Sequence, residues 1–196
     1  KSAFFCAPVD FSQHSKIQAL NNLPGTESEV NEIGQLFRNN NYATTSFIGD
    51  KATETEVKSG DLKNFRYLHF ATHGIVNESK PELSEIFLYG DKSKKEDGNL
   101  YSGEIYNLNI KADLVTLSAC QTGLGKISKG EGIIGLSRAL LYAGAQNLVV
   151  SLWAVSDEST SKLMVNFYTD PIFFHQYIFL LIAWAAYADI QERICL

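Results

Sequence analysis

Short apolar runs alternate with stretches of helical spacing along most of this 196-residue chain, and that alternation restricts the fold more than any other feature. "SAFFCAPV", "YATTSFIGD", "FRYLHFATHG", "ADLVTLSAC" and "AQNLVVSLW" have strand length and read as strands, the first ended by its proline. Between the first two lies "LPGTESEVNEIGQLFRNN", where Val30, Ile33, Leu36 and Phe37 recur at helical spacing and Thr26 with Glu29 forms an expected capping pair. "KATETEVKSGDL" predicts a short polar-faced helix opened at Thr53, with Glu56 three residues on. "EGIIGLSRALLYAG" predicts a helix stopped by Gly144, and "SDESTSKLMVNFY" starts another with Ser156 and Glu158 or Ser159 near its N-terminus. The charged, turn-rich "DKSKKEDG" reads as a solvated hairpin or loop. Strands apolar on both faces, alternating with helices, imply an α/β fold: a mostly parallel sheet covered by helices on both faces.

Lys and Arg number 17 against 22 Asp and Glu, with no dense basic stretch, so no nucleic-acid partner is expected. Cys6, Cys120 and Cys195 are odd in number and far apart, which argues against a disulfide framework or a structural zinc site and for a reducing, cytoplasmic compartment. The chain starts at Lys1 and runs almost directly into "AFFCAPV", which reads as a piece of a longer protein without a signal peptide. After residue 170 the character changes. The segment 171–196 is apolar and aromatic, almost without charge from Pro171 to Ala188, and its length borders on that of a membrane span. His175 and Gln176 near its start favour a segment packed on the same domain, so a membrane partner is not expected.

In open parallel sheets reactive groups gather at the carboxyl ends of the strands, where His73 and Cys120 are expected. If their strands are neighbours, the two side chains share one edge. Thiol hydrolysis of a peptide bond needs an attacking thiolate, an imidazole to move protons, and N–H donors aimed at the developing oxyanion. Cys120 would attack, His73 would serve as acid and base, and the amides of Gly74 and Cys120 would form the oxyanion hole. The competing reading of Cys120 is a buried structural thiol. His69 reads as a packed strand histidine, because four residues of strand separate it from His73 by about 13 Å, too far to share a metal ion. His14 and His175 have no partner nearby in sequence and receive no role. In "SLWAVSDEST", Trp153 could wall a substrate pocket and Asp157 could pair a cationic side chain at its base; alternatively Asp157 or Ser156 caps the next helix. "GLGKISKGEG" lacks the spacing of a phosphate loop, and no cofactor or metal is expected.

"YLHFATHG", "LVTLSACQTGLG" and "KGEGIIGLSRALLYAGAQNLVVSLWAVSDEST", with "LPGTESEVNEIGQLF", resemble in order the motifs of the CHAT domain, over residues 3 to 168. The resemblance implies a caspase-haemoglobinase-like fold over residues 1–170 and a cysteine endopeptidase that cuts a protein or peptide substrate. By motif match, His73 and Cys120 carry over as the dyad, and the Gly74 and Cys120 amides as the oxyanion hole. The separation of the two, some fifty residues, is also that of caspases. "SLWAVSDEST" is similar to the separase segment whose aspartate receives arginine, which implies cleavage after a basic residue selected by Asp157. Tetratricopeptide repeats or a regulatory complex outside this chain are the implied partners. The apolar 171–196 segment departs from the charged helix and last strand usual in the family. Two alternatives stand beside the protease: a catalytically silent caspase-like interaction module in a signalling assembly, and acyl transfer or amidohydrolysis on a small molecule by the same dyad.

Overall fold

The sheet grows outward from Tyr67–Ile75 (β3), whose alternating residues are buried on both sides. In the computed structural model, residues 1–14, 20–59, 61–77, 79–121, 131–150 and 157–170 are described. Ser2–Ala7 (β1) pairs β3 in parallel and is itself flanked in parallel by Ala43–Ile48 (β2). On the other side of β3 lies Leu114–Gln121 (β6), again parallel, followed by Leu148–Val150 (β7). Beyond the end of β1, the short strands Glu85–Phe87 (β4) and Asn99–Tyr101 (β5) continue the sheet, β4 antiparallel to β3 and β5 antiparallel to β4. The result is a mixed, seven-stranded sheet with a parallel centre.

Gly25–Asn39 (α1) and Asp157–Thr169 (α5) cover one face, and Ser102–Ile105 (α3) and Glu131–Tyr142 (α4) belong to the other side, with Glu54–Lys58 (α2). Strand alternation explains the division. Phe4, Cys6, Leu68, Phe70, Val115 and Leu117 fill one core, whereas Ala3, Phe5, Ala71 and Leu114 meet Val30, Ile33, Phe37 and Tyr168 in the second. The expected α/β architecture, mostly parallel and helix-covered on both faces, is therefore observed.

Local signals decide where elements stop. Thr53 caps α2 by accepting the Glu56 N–H at 3.2 Å, as its sequence predicts. Gly144, at φ 115°, ends α4: its N–H reaches the Leu141 carbonyl and that of Ala145 reaches Leu140, the paired bonds of a Schellman stop. "DKSKKEDG" closes as a turn between Asp91 and Glu96, which exchange backbone hydrogen bonds. The Thr26/Glu29 capping pair is not formed. α1 starts after Pro24, the Thr26 hydroxyl donates back to the Leu23 carbonyl at 2.7 Å, and Glu29 is buried. Positions 26, 29, 30, 33 and 37 lie on the buried stripe of the helix, so packing against the sheet takes Glu29 away from the helix end.

Among the described residues no helix is long and apolar enough to cross a membrane. The 171–196 segment lies outside the described residues.

Candidate active site

β3 and β6 are hydrogen-bonded neighbours, and their register sets His73 directly beside Cys120. Parallel neighbours lie about 4.8 Å apart, and register partners belong to the same face. The same alignment pairs Tyr67 with Leu114, His69 with Thr116 and Ala71 with Ser118, so His73 continues the face that α1 and α5 cover, with Cys120 as its backbone partner in register. One boundary differs from the sequence reading. β3 does not stop at Gly74 but runs on to Ile75, because the chain returns as β4 and pairs Gly74 with Ile86. Gly74 thus has a ladder partner on each side, Ile86 and Gln121.

His73 is 1% exposed. Its Nε2 lies 2.7 Å from the Asn21 carbonyl oxygen, which can only accept, so Nε2 carries the proton. Phe11 packs edge-on against the ring at 4.5 Å between centroids. Two further bonds hold this cover: the Phe11 N–H donates to Asn22 Oδ1 at 3.0 Å, and the Leu23 N–H to the Val9 carbonyl at 2.9 Å. Asn21 carried no sequence signal, because its contribution is a backbone oxygen that any residue type could supply.

Four residues earlier on the same face, His69 sits in a buried polar network. Its Nε2 meets Glu29 Oε1 at 2.7 Å and its Nδ1 meets the Tyr168 hydroxyl at 3.2 Å; that hydroxyl also bonds Thr116 Oγ1 at 2.7 Å. The packed-histidine reading of His69 therefore holds, with an acidic partner the sequence did not reveal. Burial pushes the Tyr168 phenol well above its ordinary range, which keeps it protonated and able to donate. His14 is also buried, its Nε2 donating to the Leu88 carbonyl at 2.8 Å.

Asp157 opens α5, yet its Oδ2 accepts the Gly25 N–H, the first amide of α1, at 2.7 Å. It serves a neighbouring helix. Trp153, Ser156 and the glycine-rich 122–130 stretch lie outside the described residues. Cys6 is free and buried in the opposite core, where burial pushes its thiol far up and leaves it inert.

Glu54, Glu96 and Glu104 bring carboxylate oxygens within 4.8 Å of one another, but the Lys58 ammonium occupies their centre. It bonds Glu96 at 2.7 Å and Glu104 at 2.6 Å, and Glu54 as well. Burial pushes Glu54 upward against the pull of Lys58 and the Gly98 N–H. Burial works to lower Lys58, yet its hydrogen bonds to the three carboxylates outweigh that and hold it above its usual range. This is an ion-pair network, not a metal centre. A cavity of about 380 Å³ lined by Phe4, Phe47, Leu62 and Phe65 lies on the face opposite His73 and forms no part of the site.

An α/β domain whose His-Gly strand pairs in register with an Ala-Cys strand defines the class. The CHAT domain model matches residues 3–171, and the chain belongs to that caspase-like family. It is similar to Tetratricopeptide repeat protein 28 of Mus musculus, 33% identical over 178 residues covering 75% of this chain, and to that of Homo sapiens, 24% identical over the same length. The chain spans about 7% of the length of these relatives. Among solved structures it is similar to a Streptococcus pneumonia TIGR4 flavodoxin, with a TM-score of 0.45 and 11% identity over 85% of this chain and 94% of that one.

Proposed function

We propose that this CHAT domain is a cysteine endopeptidase acting on a protein partner through His73 and Cys120. The observation that carries the reading is the His73–Cys120 register pair on adjacent parallel strands. The Cys120 thiol gives its proton to His73 as its sulfur attacks the scissile carbonyl carbon, the C–N bond breaks, and the amine leaves with that proton, returned by His73. Because the Asn21 carbonyl holds the Nε2 proton, the exchange falls to Nδ1. Water then hydrolyses the thioester and restores the thiol. The Gly74 and Cys120 amides are the proposed donors to the oxyanion in both steps. Gly74 lies inside the sheet ladder, so productive binding requires its N–H to turn from ladder to substrate.

Cleavage after a basic residue, selected by Asp157 with Trp153 as a pocket wall, is the finer part of the proposal. The likeness to a tetratricopeptide repeat protein supports repeats elsewhere in the full protein as the part that presents or senses the partner. A thiol mechanism fits a reducing, cytoplasmic setting.

Covalent labelling with a peptidyl electrophile tests the assignment. Stoichiometric modification lost in Cys120→Ala and strongly slowed in His73→Ala is expected; labelling or turnover that survives Cys120→Ala removes the proposal. One observation favours the second reading, a silent interaction module: His73 is almost wholly covered, with its Nε2 engaged and Phe11 against the ring. On that reading neither residue reacts, and partner binding is unchanged by Cys120→Ala.

A further inference from the structure

α1 has no cap of its own. Pro24 offers neither a side-chain acceptor nor an N–H, and the Thr26 hydroxyl donates backward to Leu23. The orphan amide at Gly25 is instead taken by a carboxylate from another helix, Asp157, which brings negative charge to the positive end of α1. The fit is close: a Cβ on Gly25 would lie 2.8 Å from Asp157 Oδ2 and 2.9 Å from its carboxyl carbon. The residues just before Gly25 are the ones that reach the imidazole, since Asn21 supplies the carbonyl on His73 Nε2. Two anchors hold this loop from the β1 side, Leu23 to Val9 and Asn22 to Phe11; Asp157 holds its other end.

We infer that Asp157 is a positioning residue for His73, fixing the start of α1 and thereby the loop that keeps the Asn21 carbonyl on the imidazole. The inference rests on the protease reading for its kinetic consequence, but not for its structural one. One carboxylate oxygen is committed to Gly25, and the basic-residue selection proposed above would use the other. The two roles separate in kinetics. A pocket floor acts on KM for Arg and Lys substrates alone, whereas a positioning residue acts on kcat whatever residue precedes the scissile bond.

The experiment compares the wild-type chain with Asp157→Ala, Asp157→Asn and Gly25→Ala on peptides carrying Arg, Lys, Gln or Leu before the scissile bond. His73 is followed in parallel by ¹⁵N NMR. Asp157→Ala is expected to lower kcat about tenfold on every peptide, with any KM change confined to the basic ones. Asp157→Asn, whose amide oxygen still accepts the Gly25 N–H, should recover most of kcat. Gly25→Ala pushes the carboxylate away without altering it and should reproduce the kcat loss with wild-type preference. The His73 Nε2–H should exchange with solvent at least tenfold faster in Asp157→Ala and Gly25→Ala than in Asp157→Asn; should Gly25→Ala not fold, the two Asp157 variants decide alone. Unchanged His73 exchange in Asp157→Ala, or a loss limited to KM for Arg and Lys that Asp157→Asn does not repair, overturns the inference. A wild-type chain that cleaves nothing removes the protease reading while the exchange measurement still decides the positioning role.

Discussion

Replacing Tyr168 by Phe takes one oxygen from the buried face between α5 and the sheet and changes almost no volume. That oxygen bonds Thr116 Oγ1 at 2.7 Å and His69 Nδ1 at 3.2 Å, and Thr116 and His69 are 0% and 1% exposed. Neither partner can turn to water once the hydroxyl is gone. Each lost bond costs about 1 kcal/mol net, and stranding a buried polar group raises that, so about 2 kcal/mol of stability should disappear. For a domain of this size the melting temperature should fall by about 4–8 °C. Urea unfolding followed by circular dichroism should show a lower midpoint with an unchanged slope. A cycle with Thr116→Val should return a coupling of about 1 kcal/mol, because each single change breaks the same bond. A loss below about 0.5 kcal/mol with the slope unchanged, or strict additivity in the cycle, would refute the reasoning that these bonds are made and shielded.

Lys58→Met removes the cation among Glu54, Glu96 and Glu104 and leaves Glu54 buried beside two like charges. A fully buried pair broken this way costs about 3–5 kcal/mol; with Lys58 and Glu96 partly exposed, about 2 kcal/mol at neutral pH is expected in equilibrium unfolding. The hydrogen bond from Lys58 holds Glu96 below its usual range, so that contribution is present above the ordinary carboxylate pKa and lost as pH falls through the lowered value. In the variant Glu54 rises further, so its deficit should shrink as pH is brought from 7 toward about 4.5, where ordinary carboxylates begin to protonate. A deficit that grows on acidification contradicts the network. Gly144→Ala should destabilise by at least about 2 kcal/mol, since φ is 115° and the new Cβ would run into the Ile110 carbonyl. Thermal melts of the purified chain measure it, and a neutral result would mean that α4 ends differently.

Elements whose reason is local were legible in the sequence. Thr53 accepts the Glu56 amide and Gly144 stops α4, because cap and stop chemistry act within a few residues. The parallel centre was legible too, since strands buried on both faces leave few other arrangements. What escaped the reading depends on partners distant in sequence. Thr26 and Glu29 have capping-box spacing, yet Glu29 pairs with His69, 40 residues away, once the helix turns that stripe inward. The β4 and β5 strands cover three residues each, too few for a period-two pattern to stand out beside charged turns. For Asp157 the sequence offered a pocket floor or a cap for its own helix, and nothing in it signalled the bond that the carboxylate accepts from the Gly25 amide, 132 residues away.

The buried network and the dyad are linked through strand register. A slip of one residue between β3 and β6 would move every residue of one strand to the other face, and His73 would no longer be in register with Cys120. Apolar packing alone resists such a slip weakly here, because both faces of these strands are apolar and a shifted strand still buries its side chains. Polar groups discriminate better. His69 and Thr116 are register partners, and the single Tyr168 hydroxyl bonds both, a condition met only in the observed alignment. A shifted β6 would bury the Thr116 hydroxyl against the opposite core and leave the phenol without it, at about 1–3 kcal/mol for each stranded group. The polar stripe beneath α1 and α5 therefore contributes alignment as well as stability, and the alignment it enforces at His69 and Thr116 is the one that sets His73 beside Cys120 four residues further along.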